Sequence, residues 1–485
     1  MPAIITDKFR IHNSEQFREA FSEASGNTMY LGIGRPQPFA TSTRGDARTN
    51  NEGSDISPLT PADNLNAQHF PFDDMLASKK IPTTDVTFAI PRRNWVTGTT
   101  YDTYRHDYGE YATGGTTVIT ANSGASTLFD ATFYVLTTDR NVYKCLANDN
   151  NTASTVEPTG TSTTVLSTAD GYKWKYMYTL SASQQSNFLS TDFMAVATDA
   201  TVSSAAVDGT IEEIKIKATG SSGTNGTHTG VAIRGDGSSG TCSVTVAGGV
   251  VTAVTITAAG TGYTFGTVSN AQIVTAGATG LTGAELDVII PPKGGHGFNA
   301  IEELGGFYVM LNTSLEGTES ANSGDVTVAN DFRKITLIRD PLSGGSAATA
   351  STLRATRAIN VASVTGSYVV DEKITQATTG AVGKVVEWDA TNSILYYIQT
   401  RHNDEGLDSN GNQTAFSGTN IVTGAGGGTS TPTTSTSTIN NVSFTSGYSA
   451  SEIDHDSGDI LYNENRAPIT RAADQTENIK LVIEF

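Results

Sequence analysis

The sequence predicts a mostly β, multi-domain protein: a host fold carrying two inserted Gly/Thr-rich β modules and few short helices. Three observations carry this. The chain has 485 residues, too many for one ordinary core. Its charged fraction is 16% and it holds 49 glycines, where an average soluble protein is about a quarter charged. Its clearest periodic segments alternate with period two, as strands do.

Taken in order, one helix is expected near the start. Asn13 or Ser14 can cap it, Glu15 lies in its first turn, and Phe17, Ala20, Phe21 and Ala24 recur at helical spacing until Gly26 stops it. The Asp170-Gly171 turn then leads into a run from Tyr172 to Leu180 in which every second residue is aromatic or leucine, predicting a half-buried strand. The chain ends similarly, with Ile479, Leu481, Ile483 and Phe485 on one face. Such a pattern docks the last residues in a sheet.

Two stretches differ in texture. Residues 201–290 are Gly-, Thr- and Ser-rich, with Val244 to Val246 and Val254 to Ile256 flanking Gly248-Gly249 as a hairpin. Residues 346–445 hold a second hairpin, Val385 to Trp388 and Ile394 to Tyr397. They also hold a weak repeat, in which 371–380 aligns with 418–427 on an isoleucine, a small residue and a glycine. The Thr/Ser-rich segment 428–441 is expected to be a mobile loop. The resulting division is 1–200 host fold, 201–290 first insert, 291–345 host return, 346–445 second insert and 446–485 host C-terminal part.

Charge narrows function. With 49 acids against 30 bases the formal net charge is −19, which repels nucleic acid and anionic membrane surfaces. Cys145 and Cys242 form no metal-type spacing and no disulfide framework, so a reducing compartment is expected. Asp7, Lys8 and Arg10 interrupt the opening residues, where an export signal needs an apolar run. Synthesis in a cytoplasm is therefore expected.

No HExxH, GxSxG or phosphate-cradling loop can be written onto the chain, and Gly260-Thr261-Gly262 is followed by no helical pattern. No catalytic residue, cofactor, metal or small-molecule substrate is assigned. Three clusters could carry chemistry. Asp404, Asp408, Asn410 and Asn412 around Gly406 and Gly411 could offer oxygens to a calcium ion, although a hydrogen-bonded turn is the simpler reading. Glu452, Asp454, His455, Asp456 and Asp459 could hold a metal or form a solvated acidic face. Tyr101, Tyr104, His106, Tyr108 and Tyr111 could stack on a sugar or base, or simply pack.

The most specific segments are not of these kinds. They are Ile90-Pro91-Arg92-Arg93-Asn94-Trp95, Asp170-Gly171-Tyr172-Lys173-Trp174, FRKITLIRDPL at 332–342 and ILYNENRAPITRAADQTENIKLVIEF from Ile460. With Ile5 to Arg10 and Gly34-Arg35-Pro36, they resemble, in this order, the baseplate wedge protein encoded by gene eight of T4-like contractile-tailed phages. Both inserts fall outside the resemblance. It implies a β-sandwich-like host fold and no catalysis. It also implies a homodimer contacting other baseplate wedge proteins in the virion tail. The structural or interface candidates are Pro91, Arg92, Arg93, Trp95, Trp174, Asn465, Arg466, Pro468, Asp474 and Gln475. Arginine forks at 92, 93 and 466 suit carboxylates or carbonyl clusters, inside the chain or on a partner. The two tryptophans are expected in the core. Asn463, Asn465 and Pro468 are expected to make a rigid corner. Two rival readings remain: a glycan-binding host-recognition or tail-fibre module, and a tail-associated hydrolase.

Overall fold

The computed structural model describes residues 3–23, 27–39, 41–43, 49–112, 115–318, 325–400, 405–472 and 475–485. The chain is mostly β with few short helices, as the composition predicts. It forms two compact units: Met1–Gln16, Thr87–Met310 and Val482–Phe485 in one, and Phe17–Val86 with Leu311–Leu481 in the other.

The N-terminal helix is Asp7–Ala20, beginning well before the expected cap. The backbone N–H of Phe9 donates to Thr6 Oγ1 at 3.3 Å, so Thr6 does the capping, with Asp7 favourably placed in the first turn. Asn13 and Ser14 are interior. Ser14 is buried and its hydroxyl donates to Ile11 O at 2.7 Å and Gly306 O at 2.9 Å, which removes its need for solvent. Gly26, the expected stop, lies outside the described residues.

In the first unit, Tyr134–Leu136, Asn141–Asn148, Tyr172–Thr179 and Leu166–Ser167 form an antiparallel sheet. Cys145 sits opposite Trp174, and both are fully buried. Tyr172–Thr179 is not half-buried as expected: Lys175 on its polar face is 4% exposed. The reason is the segment 201–290. Its Glu213–Ser221 and Thr282–Ile289 strands pair from Glu213↔Ile289 onward, so the segment leaves and returns side by side. It is built from a four-stranded sheet and the three-stranded sheet of Gly226–Ala232, Thr241–Ala247 and Val250–Ala258. Val231, Val244, Val251, Ile273, Leu281 and Leu286 share one buried cluster. The expected hairpin is present, with Val244↔Val254 in register. Gly248 and Gly249 both take positive φ, 63° and 82°, the geometry a two-residue turn needs.

In the second unit, five antiparallel strands run in the order Thr352–Arg354, Met75–Lys80, Met29–Gly34, Phe332–Arg339, Asp459–Ile469. Met29–Gly34 is buried throughout, and a Cβ on Gly32 would lie 2.5 Å from Thr336 Oγ1, so glycine is required there.

Residues 346–445 hold a closed antiparallel barrel of six strands: Arg357–Thr365, Ile394–Ile398, Val382–Asp389, Lys373–Gln376, Val422–Gly424 and Thr429–Pro432, which returns to Arg357–Thr365. Ile359, Val361, Ile374, Leu395 and Val422 fill its core. The segment expected to be mobile is thus partly structural. Thr429–Pro432 closes the ring, and Ser430 accepts or donates a 2.6 Å hydrogen bond with Tyr368. The weak repeat occupies neighbouring strands, Ile374↔Gly424, but the faces do not match. Ile374 is fully buried, whereas the aligned Ile421 is 51% exposed and Val422 points inward instead.

Candidate functional site

The signature residues sort into pins and an open edge. Arg92 donates from Nε to Asn94 Oδ1 at 2.9 Å and from NH1 to Ser190 O at 2.7 Å. Arg93 donates to the carbonyls of Ala131 and, at 3.0 Å, Phe129, with its guanidinium 4.6 Å from the centre of the Tyr134 ring. Tyr134 in turn donates to Pro91 O at 2.8 Å. Both forks therefore hold internal carbonyls rather than carboxylates. Trp95 donates to Ser154 Oγ at 3.2 Å, and Trp174 stacks on Tyr172 with centroids 5.4 Å apart.

The C-terminal signature departs from expectation. Asn463, Asn465 and Pro468 lie within the strand Asp459–Ile469, not at a corner. That strand forms the outer edge of its sheet, where a proline deletes no ladder bond. The register also shifts between Phe332↔Ile469 and Lys334↔Asn465, so Arg466 to Pro468 form a bulge. Asn465 Nδ2 donates to Leu59 O at 3.0 Å. Arg466 is half-buried and makes no side-chain hydrogen bond or ion pair with a described residue. Gln475 closes a turn by accepting from Ala472 N at 2.9 Å, and its carbonyl accepts from Gly317 N at 2.8 Å. Asp474 lies outside the described residues. The chain end is docked: Phe485 N donates to Phe307 O at 3.1 Å, and Arg10 Nε donates to Phe485 O at 2.5 Å.

Sequence reasoning missed a buried ionic seam in the first unit. Lys144 and Glu303 pair with side chains 0% and 2% exposed. Lys175 meets Glu212 at 2.8 Å, and Lys173 meets Glu213 at 2.6 Å. Burial lowers the Lys144 pKa, and the Glu303 carboxylate opposes it. His296 nearby is held well below its ordinary value, by burial first and then by Lys144 and Lys175, so it is neutral at pH 7. Alternation in Tyr172–Thr179 flagged the lysines as outward, and only the distant acids make them inward.

The chemistry-bearing clusters resolve into structural contacts. Asp408 accepts from the N–H groups of Asn410 at 2.8 Å and Asn412 at 2.9 Å, a hydrogen-bonded turn, while Asp404 lies outside the described residues. Glu452 accepts from Arg354 N at 2.8 Å, and Asp454 accepts from Gly344 N at 3.0 Å and Gly345 N at 2.7 Å. Asp456 meets His69 at 3.0 Å, Asp459 pairs with Arg339 at 2.5 Å, and His455 Nδ1 lies 3.9 Å from Asp73. Among the described residues no group of three or more His, Cys, Asp or Glu could hold a metal ion. Tyr101 and Tyr104 are each 4% exposed and Tyr108 donates to Thr103 O at 2.8 Å. His106 Nδ1 accepts from Ile290 N at 3.2 Å. Tyr111 is the exposed member at 68%.

A polar cleft of about 530 Å³ lies beside Asp107, Glu285 and Asp287. Arg105 meets Asp107 at 2.7 Å and Asp287 at 3.2 Å, and Lys217 meets Glu285 at 3.0 Å. Burial acts to raise the Asp107 pKa, but the Arg105 hydrogen bond and charge bring it below the usual value. Asp107 is therefore no proton donor at neutral pH. Both cysteines are buried, and burial pushes the thiols up, Cys242 to about 11 and Cys145 well above its ordinary value. Neither is an activated nucleophile.

Residues 3–153 match the family described as Bacteriophage T4, Gp8. The match spans under a third of the chain. The resemblance drawn from the sequence is shown there, while the Asp170-to-Trp174, FRKITLIRDPL and C-terminal signatures lie beyond the matched span. Gp8 is a structural baseplate family, so the match supports a structural role in the virion tail. No curated protein matches the chain.

Proposed function

We propose that this protein is a baseplate wedge subunit that forms a homodimer, connects neighbouring wedge proteins and performs no catalysis. The Gp8 match over residues 3–153 carries this reading. Three features support it. The signature segments build internally pinned sheet surfaces, and the acidic and tyrosine clusters make structural contacts. The outer strand Asp459–Ile469 has no strand on its other side among the described residues, and such an edge can accept a neighbouring strand. Arg466 on that strand, whose fork has no partner among the described residues, suits a partner's carboxylate. The five-part division, with 201–290 and 346–445 as inserts in a host fold, belongs to the same proposal. So do assembly in the host cytoplasm of a contractile-tailed phage and the absence of nucleic-acid and membrane partners.

Sedimentation at micromolar protein tests it. A two-chain mass is expected, with capture of other wedge proteins of the same tail. Arg466→Glu should weaken one of these associations about tenfold or more while leaving the melting temperature unchanged. A strictly monomeric wild-type chain that captures no wedge protein would overturn the proposal.

A further inference from the structure

The barrel of the second insert has a cavity at one end, where Arg357–Thr365 begins and Ile394–Ile398 finishes. Its volume is about 520 Å³, within the range of small-molecule sites. Tyr397, Phe416 and Tyr448 supply ring surface, and Arg357, Gln399 and Gln413 supply polar groups. No aspartate or glutamate is among the lining residues, although the chain as a whole is strongly acidic.

The polar groups are held in place before any ligand arrives. Gln399 Nε2 donates to Val382 O and Thr414 O, both at 2.9 Å. Gln413 Nε2 donates to Gln399 O at 2.7 Å. The two side-chain oxygens then both accept from Arg357 NH1, the Gln413 contact being 3.3 Å. This fixes the guanidinium through one nitrogen. Its Nε and NH2 donate to no described group, and Arg357 has no ion pair among the described residues. Tyr397 is 4% exposed, yet its hydroxyl also has no hydrogen-bond partner among the described residues. The hydroxyl is not one of the sealed, unpartnered polar atoms, and Tyr397 lines the cavity. Phe416 packs edge-on to Tyr397 with centroids 4.8 Å apart, giving an apolar wall beside these donors.

The geometry points to a binding site for a saccharide unit that carries a carboxylate. The free edge of Arg357 matches a carboxylate, the Tyr397 hydroxyl meets a ring hydroxyl, and the aromatic wall packs on the apolar C–H face of the sugar. A neutral sugar leaves Arg357 unneutralised. A bare carboxylate leaves the Tyr397 hydroxyl and the aromatic wall unused. This goes beyond the structural role proposed above, and neither proposal depends on the other.

Titration of the full chain with methyl glucuronide, methyl glucoside, acetate and a peptide with a free C-terminal carboxylate, read by ligand-detected NMR, tests the site. Binding of the glucuronide at least tenfold tighter than the other three is expected. Arg357→Gln should weaken glucuronide binding more than about tenfold, and Tyr397→Phe about 3- to 10-fold. Because Arg357 also supports the barrel end, Tyr397→Phe is the decisive variant, with its fold checked by melting temperature. Unaltered glucuronide affinity in folded Tyr397→Phe overturns the assignment. Equal binding of the glucoside, or binding of the peptide alone, overturns it too, as does no glucuronide binding at millimolar concentration.

Discussion

At the residue scale, the buried charges of the first unit depend on their partners. A buried ion pair gains little over a well-packed apolar pair, but breaking it strands a charge in low dielectric. Glu303 also accepts from Gly297 N at 2.7 Å, so its carboxylate is fixed in place. Lys144→Met should therefore cost about 3–5 kcal/mol in urea unfolding, and adding Glu303→Gln should recover part of the loss. Asp170 makes a complementary case. Burial acts to raise its pKa, but hydrogen bonds from Thr168, Val156, Thr155 and Ser154 bring it down to about 2. The folded carboxyl then titrates below the unfolded one, near 3.8. The unfolded chain binds more protons in between, so stability is present above about pH 4 and is lost as pH falls toward 2. Melting temperatures across that window should fall less steeply in Asp170→Asn than in the parent.

At the element scale, the barrel depends on six short strands, none of which could persist alone. Leu395 is fully buried and sits between Ile359 and Trp388 in the paired register. Leu395→Ala should cost about 2–5 kcal/mol through lost burial and the cavity left behind, measured by denaturant unfolding. Both hairpins of the inserts were legible in sequence because a turn and its flanking alternation are local. Ring closure was not, since Thr429–Pro432 has no apolar pattern and is recruited by strands on both sides. The Asn463-to-Pro468 piece misled for a related reason. Asn463 and Asn465 pair in the ladder with Thr336 and Lys334, and Pro468 is accommodated by a bulge on an edge strand, where the missing ladder partner removes the usual penalty.

At the scale of the whole molecule, the segment 201–290 is joined to the strand Tyr172–Thr179 by charge as well as by chain. Glu212 and Glu213 lie at its first strand and neutralise Lys175 and Lys173. Since Glu213 and Ile289 are paired neighbours, residues 214–288 can be replaced by a two-residue turn that keeps both acids. That variant should retain one cooperative thermal transition. Removing 201–290 discards the acids and should lower the melting temperature far further or abolish the transition. Differential scanning calorimetry of the two deletions compares them directly, and equal melting temperatures would remove the role assigned to the seam.

The sequence by itself determined the β-rich class, the hairpins at Gly248-Gly249 and around Asp389 to Asn392, the docked C-terminal strand and the Gp8 resemblance. Each rests on near neighbours, whose spacing fixes turn and face without reference to the rest of the chain. Only the tertiary structure decided that Lys175 is buried and Lys173 is drawn onto Glu213, that six strands close a ring, and that Arg357 and Tyr397 meet at its end. Those outcomes depend on groups that folding brings together from far along the chain. Burial and pairing are then set by distance in space, which local periodicity does not encode.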